Sequence, residues 1–257
     1  MKINEAGWLE LSDPGEGTIS RQKAIGIGEI TVPEVVVLHY TASGHFQHTV
    51  DRLATSPDLS VHFVVGRAGE IVQLVPCDRR AYHAGLSEWK GKERVNAFSI
   101  GIEIINWGWL KAQQTNQDLL LTHVDTEVHK TGAVFSKHKN ETTARWWQSY
   151  TGTQISAVRK LVIALCKAYN LTVDEVVGHN DIAPKRKVDP GPAWPMEEFK
   201  HEVAIALGTE QQSIEEVIPT GVLPADGPMP RVDALFAKAE ADISVVLRTL
   251  HKELKQQ

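Results

Sequence analysis

The chain has 257 residues, 42% hydrophobic and 23% charged, the balance of an ordinary globular protein long enough to bury a core without covalent staples. Its formal net charge of -5 argues against a nucleic-acid partner, since such proteins carry a strongly basic face. No apolar run approaches about 18 residues, so no transmembrane helix is expected. Glu5, Glu10, Asp13 and Glu16 interrupt any secretory apolar core, so the chain is expected to be made as a soluble cytoplasmic protein without a signal peptide.

Residues 1–30 read as polar and irregular, with a turn at Asp13-Pro14-Gly15. The apolar run at residues 34–40 predicts a central strand buried on both faces. Residues 48–59 predict a short helix carrying Val50, Leu53 and Ala54. Residues 60–65 and 70–75 flank Gly66-Arg67-Ala68-Gly69, a β-hairpin signal. Residues 99–105 predict another strand, with Ile100, Ile102 and Ile104 on one face and Ser99, Gly101 and Glu103 on the other.

Residues 107–150 show little periodicity but contain Trp107, Trp109, Trp146 and Trp147, and read as a long insertion at one edge of the domain. Residues 153–169 form a clear amphipathic pattern through Ile155, Val158, Leu161, Val162, Leu165 and Tyr169, with Thr151 or Thr153 as the cap. A short strand or helix end at residues 173–177 and a helix at residues 195–207 stopped by Gly208 complete the plan. The expected fold class is α/β, a central mixed sheet flanked by helices on both faces.

One domain is expected over residues 1–208. Prolines and glycines make residues 209–230 linker-like, and residues 231–257 carry a helix with a heptad seam through Val232, Phe236, Ala239, Ile243, Val246 and Leu250. That helix is expected either to dock on the main domain or to mediate self-association or partner binding. Cys77 and Cys166 are too few and too far apart for a disulfide framework and read as small buried hydrophobes, with a reducing compartment the default.

Chemistry enters at the loop GHNDIAPKRKVDPGP, residues 178–192. His179 and Asp189 bracket turn-forming residues that can fold both side chains toward one point, and an imidazole and a carboxylate are ordinary zinc ligands. His39, at the end of the buried strand, reads by itself more as a satisfied core residue than as a metal ligand. A catalytic zinc keeps one position open by using only three protein ligands, whereas structural sites close with four, rich in cysteine. Neither cysteine has a partner at such spacing.

These segments, LHYTAS at 38–43, GEIVQLVPCDRRAYHAGLS at 69–87, NAFSIGIEI at 96–104 and the 178–192 loop, together resemble the peptidoglycan amidases of the N-acetylmuramoyl-L-alanine amidase type. This group includes AmpD-like enzymes, phage endolysins and peptidoglycan recognition proteins. The resemblance covers roughly residues 30–208. It implies one Zn2+ ion held by His39, His179 and Asp189, with Glu103 as the catalytic carboxylate and Lys187 facing the reacting carbonyl. It further implies substrate contact by His83 and Asn96. His62 is similar to a family histidine, but the neighbouring position often held by tyrosine is Val61, which favours a glutamate-based mechanism. His45 and His48 lie close enough in sequence to His39 to compete for a place among the ligands.

The implied reaction is hydrolysis of the amide between the lactyl group of N-acetylmuramic acid and L-alanine, in peptidoglycan or muropeptides. A non-catalytic peptidoglycan-binding module and a zinc peptidase acting within the wall peptide are the alternatives. Three settings are compatible with a chain lacking a leader: recycling of muropeptides in the cytoplasm, release by phage lysis, or dedicated secretion.

Overall fold

The computed structural model describes residues 1–13 and 17–208. The linker and heptad helix expected beyond residue 208 lie outside the described residues.

In chain order the elements begin with β1 (Lys2–Ile3), β2 (Leu9–Glu10), β3 (Ile19–Arg21), β4 (Val35–Tyr40), α1 (Phe46–Thr55), β5 (Phe63–Val65) and β6 (Ile71–Gln73). Next come β7 (Glu88–Trp89), β8 (Lys92–Glu93) and β9 (Ser99–Ile104). Residues 107–150 supply β10 (Trp109–Ala112), β11 (Leu119–Leu121), β12 (Glu127–His129), β13 (Ala133–Lys137) and β14 (Ala144–Gln148). Then follow α2 (Gly152–Tyr169), β15 (Val176–Gly178), α3 (His179–Ile182) and α4 (Met196–Leu207).

A six-stranded mixed sheet, in the order β15-β4-β9-β5-β6-β3, organises the molecule. β15, β4, β9 and β5 run parallel, and β5 and β6 form the antiparallel hairpin expected from the glycine-bearing turn. The two central strands match the continuous apolar runs seen in the sequence, because strands buried on both faces have no polar side to show.

Alternation divides their side chains between two cores. Val36 and Leu38 of β4, with Ile100, Ile102 and Ile104 of β9, pack on α2 and α4 through Leu161, Leu165, Phe199 and Val203. On the other face Val64 and Val72 meet Val50, Leu53 and Ala54 of α1. Helices therefore cover both faces, as expected. The α2 start is fixed by Thr151, whose hydroxyl accepts from the Gln154 N–H while the Gln154 side chain accepts from the Thr151 N–H, a capping box. Gly208 ends α4 in the left-handed conformation at φ 76°.

Two regions depart from the sequence reading. Within the first thirty residues β1 and β2 pair as a hairpin and β3 adds a parallel edge strand beside β6. Residues 107–150 are not an irregular loop but a five-stranded antiparallel sheet, in the order β12-β11-β10-β14-β13. Its own core contains Trp107, Leu110 and Leu120, with Trp146 packed against it. Both thiols are buried and unbridged, as their isolation in sequence implied. No helix among the described residues is long and apolar enough to cross a membrane.

Candidate metal centre

The parallel strands β15, β4 and β9 place their carboxyl ends together, the position at which open α/β sheets commonly bind ligands. His39 is the fifth residue of β4 and is the register partner of Glu103 on β9. Gly178 pairs with Leu38, so His179, the next residue, emerges level with His39. The loop that follows α3 returns Asp189 to the same point, where its backbone carbonyl accepts from the Asn180 N–H at 2.9 Å.

His39, His179 and Asp189 are 1%, 2% and 6% exposed. Their atoms converge as a nearly equilateral triangle: His39 Nδ1 to His179 Nδ1 is 2.9 Å, and each nitrogen is 3.0 Å from Asp189 Oδ2. In a tetrahedral site with bonds of about 2.0–2.2 Å the ligand atoms lie roughly 3.3 Å apart, so the triangle approximates one face of such a site. Two imidazoles and one carboxylate form a mixed N/O donor set of the kind zinc accepts, rather than the all-oxygen set of calcium or magnesium. Burial pushes the Asp189 carboxyl up, but hydrogen bonds with His179 and His39 outweigh it and hold the group well below its usual range. Burial pulls His39 down to about 4, against the opposing pull of Asp189, so its imidazole is neutral and able to ligate at pH 7. The residues fit a metal ion.

Each imidazole of the triangle also uses its other nitrogen. His179 Nε2 lies 3.0 Å from the Ala84 carbonyl, and His39 Nε2 lies 3.0 Å from His83 Nδ1. Arg186 also donates to the Ala84 carbonyl, at 2.8 Å. His83 and Asn96, for which the resemblance implied substrate contact, both make hydrogen bonds within the protein beside the triangle. His83 sits against His39, and Asn96 Oδ1 accepts from the His83 and Ala84 backbone N–H groups at 3.0 and 2.8 Å. His45 and His48 stand apart from the triangle and line a groove with α1. His62 is fully buried; its Nδ1 accepts from the Gly101 N–H and its Nε2–H donates to the Arg79 carbonyl. Val61 is equally buried among apolar side chains, so no hydroxyl is presented from that position.

Glu103 lies on the same sheet face as His39, and its Oε2 is buried without a hydrogen-bond partner. Burial, reinforced by the Asp189 charge, raises its pKa to about 8, while Lys187 and Arg52 pull it down. Lys187, half-buried in the loop that carries Asp189, therefore acts electrostatically on Glu103 and also on His39. The Glu103 carboxyl opens onto a groove of about 360 Å³ bordered by Arg52 and His48 of α1 and by Trp107 and His123 of the 107–150 segment. Trp107 was noted in the sequence only as one of the tryptophans of the 107–150 segment, and His123 and Arg52 were not singled out, because nothing in their spacing connects them to Glu103. A buried metal-ligand triad beside a raised-pKa carboxylate and a lysine is an arrangement suited to hydrolysis at a carbonyl.

Comparison with known proteins agrees with this geometry. The family described as N-acetylmuramoyl-L-alanine amidase matches residues 30–192, more than half of the chain. A 1,6-anhydro-N-acetylmuramyl-L-alanine amidase AmpD from Salmonella typhimurium (strain SL1344) is 36% identical over 152 residues, covering 59% of this chain and 61% of that protein. The chain thus spans about three fifths of the length of that curated relative. A crystal structure of a selenomethionine AmpD derivative superposes with a TM-score of 0.54 at 26% identity, covering 79% of this chain and 99% of that one. The amidase AmiD from E. coli, in complex with the substrate anhydro-N-acetylmuramic acid-L-Ala-D-gamma-Glu-L-Lys, superposes with a TM-score of 0.51 at 28% identity, covering 69% of this chain and 65% of that one. With its fold, its buried triad and this family match over residues 30–192, the chain belongs to the N-acetylmuramoyl-L-alanine amidase family.

Proposed function

We propose that this protein is a zinc-dependent amidase that hydrolyses the bond between the lactyl group of N-acetylmuramic acid and L-alanine in peptidoglycan or muropeptides. The observation that carries the reading is the triangle of His39 Nδ1, His179 Nδ1 and Asp189 Oδ2, with edges of 2.9–3.0 Å, beside Glu103. Zinc held there supplies Lewis acidity, polarising a carbonyl oxygen and making water a stronger acid.

Glu103 is assigned the proton transfers. An amide needs a base to take a proton from the attacking water and an acid to return one to the departing nitrogen. A single carboxyl group does both when its pKa lies near the working pH. Burial raises Glu103 into that range, and the Lys187 and Arg52 charges keep it from rising further. Lys187 is assigned to stabilising the negative charge that develops on the carbonyl oxygen, a role typically worth about 2.7–4 kcal/mol in the barrier. Support for the substrate comes from the family match and from the AmiD complex, in which the bound substrate is a muramyl peptide.

The test is digestion of soluble anhydro-muropeptides and of intact sacculi, with products identified by mass and metal content measured in parallel. A free lactyl carboxyl on the sugar and a free L-alanine amine are expected. Cleavage only within the peptide would make the protein a wall peptidase, and binding without cleavage would make it a recognition module; either result overturns the proposal.

A further inference from the structure

His83 and Ala84 are consecutive residues that touch both metal-facing histidines from behind. The Ala84 carbonyl meets His179 Nε2 at 3.0 Å, and His83 Nδ1 meets His39 Nε2 at 3.0 Å. Metal-ligating histidines usually hand their second N–H to a carboxylate, a carbonyl or water, which fixes the tautomer and ring orientation. His179 follows that pattern. His39 instead faces another neutral imidazole, whose acceptor capacity depends on where its own proton sits.

The proton order can be worked out atom by atom. For His39 to offer its Nδ1 lone pair to a metal, its proton must be on Nε2. His83 Nδ1 must then accept, which places the His83 proton on Nε2, and that N–H points to Ser99 Oγ at 3.2 Å. In the opposite order His83 Nδ1–H donates to His39 Nε2, and the His39 proton moves to Nδ1, where it blocks ligation and bonds to Asp189. The tautomer of His83 and the metal competence of His39 are therefore two descriptions of one proton arrangement. The His83 ring is 8% exposed and lies between His39 and Ser99, so each of its two nitrogens has one partner in this order.

The sequence around it is adapted to hold this ring. A Cβ on Gly101 would lie 2.5 Å from His83 Cγ, so only glycine at that point of β9 lets the imidazole lie across the strand. Asn96 Oδ1 accepts from both the His83 and the Ala84 backbone N–H, fixing the two contact groups relative to each other.

We propose that His83 is a positioning residue of the metal centre: it accepts the His39 Nε2–H, donates through its own Nε2–H to Ser99, and so holds His39 in the metal-binding tautomer, with Asn96 fixing the backbone that carries it. The proposal rests on the metal-centre reading given above. It is tested by zinc affinity, measured in competition with a chelator, and by 15N NMR of the imidazoles in the zinc-loaded protein. His83→Leu, which removes the acceptor, is expected to weaken zinc binding roughly 10–100-fold. His83→Asn, which keeps an acceptor oxygen at the Nδ1 position, is expected to restore most of it. The wild-type His83 is expected to carry its proton on Nε2. Should His83→Leu fail to fold, Ser99→Ala serves instead, and weaker zinc binding with unchanged melting behaviour is the supporting result. Unchanged affinity in a folded His83→Leu, or a proton on His83 Nδ1 in the loaded protein, overturns the proposal while leaving the metal centre standing. A wild-type protein that binds no divalent metal overturns both.

Discussion

His39 and Glu103 are register partners on the adjacent parallel strands β4 and β9, so an imidazole of the candidate metal triad and a carboxyl whose Oε2 is buried without a hydrogen-bond partner share one sheet face. The backbone ladder alone sets this juxtaposition, which makes Glu103 separable from the ligand set. Glu103→Gln preserves shape but cannot exchange a proton. It is expected to lower amide hydrolysis by roughly 10²–10⁴-fold, the usual worth of a positioned acid–base group, with zinc content unchanged. Loss of zinc together with activity would show that Glu103 acts on the metal site and not on the reaction.

The same carboxyl imposes a cost on the metal-free fold. Its pKa is raised to about 8 in the folded protein from the ordinary 4.5, so the native state binds the proton more tightly than the unfolded chain. The stability it contributes is fully present below pH 4.5 and is lost as pH rises toward 8. Metal-free Glu103→Gln is therefore expected to match the wild type at low pH. At pH 8 it should exceed it by on the order of 2 kcal/mol, each pH unit between the unfolded and folded pKa being worth about 1.4 kcal/mol and the total being reduced by water that reaches the carboxyl from the groove. Denaturant unfolding at the two pH values checks this, and an equal difference at both would refute it.

Lys187 lowers the pKa of Glu103, after burial and Asp189 have raised it. Lys187→Met removes that pull, so Glu103 should titrate higher and the acid limb of the activity profile should move to higher pH. Loss of the charge beside the reacting oxygen should also reduce kcat by about 10²–10³-fold. A fall in kcat with no movement of the profile would confine Lys187 to the carbonyl; movement alone would confine it to Glu103.

Arg52 is an exposed cation on the groove wall next to Glu103. A stem peptide running along this groove would bring its free carboxylates beside Arg52. Arg52→Ala is expected to raise KM for a free-acid muropeptide roughly tenfold or more, consistent with about 1.5–3 kcal/mol for a hydrogen bond to a charged group, and to change KM little for the amidated form. Equal effects on both substrates would mean that Arg52 supports the groove without reading charge.

Legibility differed by region, for physical reasons. The buried strands β4 and β9, the β5–β6 hairpin and α2 were readable because each repeats its pattern over a full element. Positions 39, 179 and 189 could be joined only through four motifs in order, since contacts 140 and 150 residues apart leave no local trace. The contact of His83 with His39 was not legible, because sequence does not say which side of His39 its ring occupies. The clue was Gly101, an otherwise costly glycine in a central strand. The sheet at residues 107–150 escaped because its strands are only three to five residues long and are interrupted by charge.

That sheet is tied to the metal loop through Trp147. Trp147 is 1% exposed, donates from Nε1 to the Ser136 carbonyl at 3.0 Å, and leaves a Cβ on Gly191 only 2.9 Å from its ring. Gly191 lies two residues after Asp189, and Tyr150 pins the intervening Pro190 carbonyl with a 2.8 Å hydrogen bond. Trp147→Ala should open a cavity costing about 3–5 kcal/mol, a fall in Tm of roughly 6–20 °C for a domain of this size. Because the cavity borders the Asp189 loop, zinc affinity should fall as well, while Trp147→Phe, which keeps a ring against Gly191, should retain most of it. If Trp147→Ala lowers Tm but binds zinc as tightly as the wild type, the sheet stabilises the protein without bracing the metal centre.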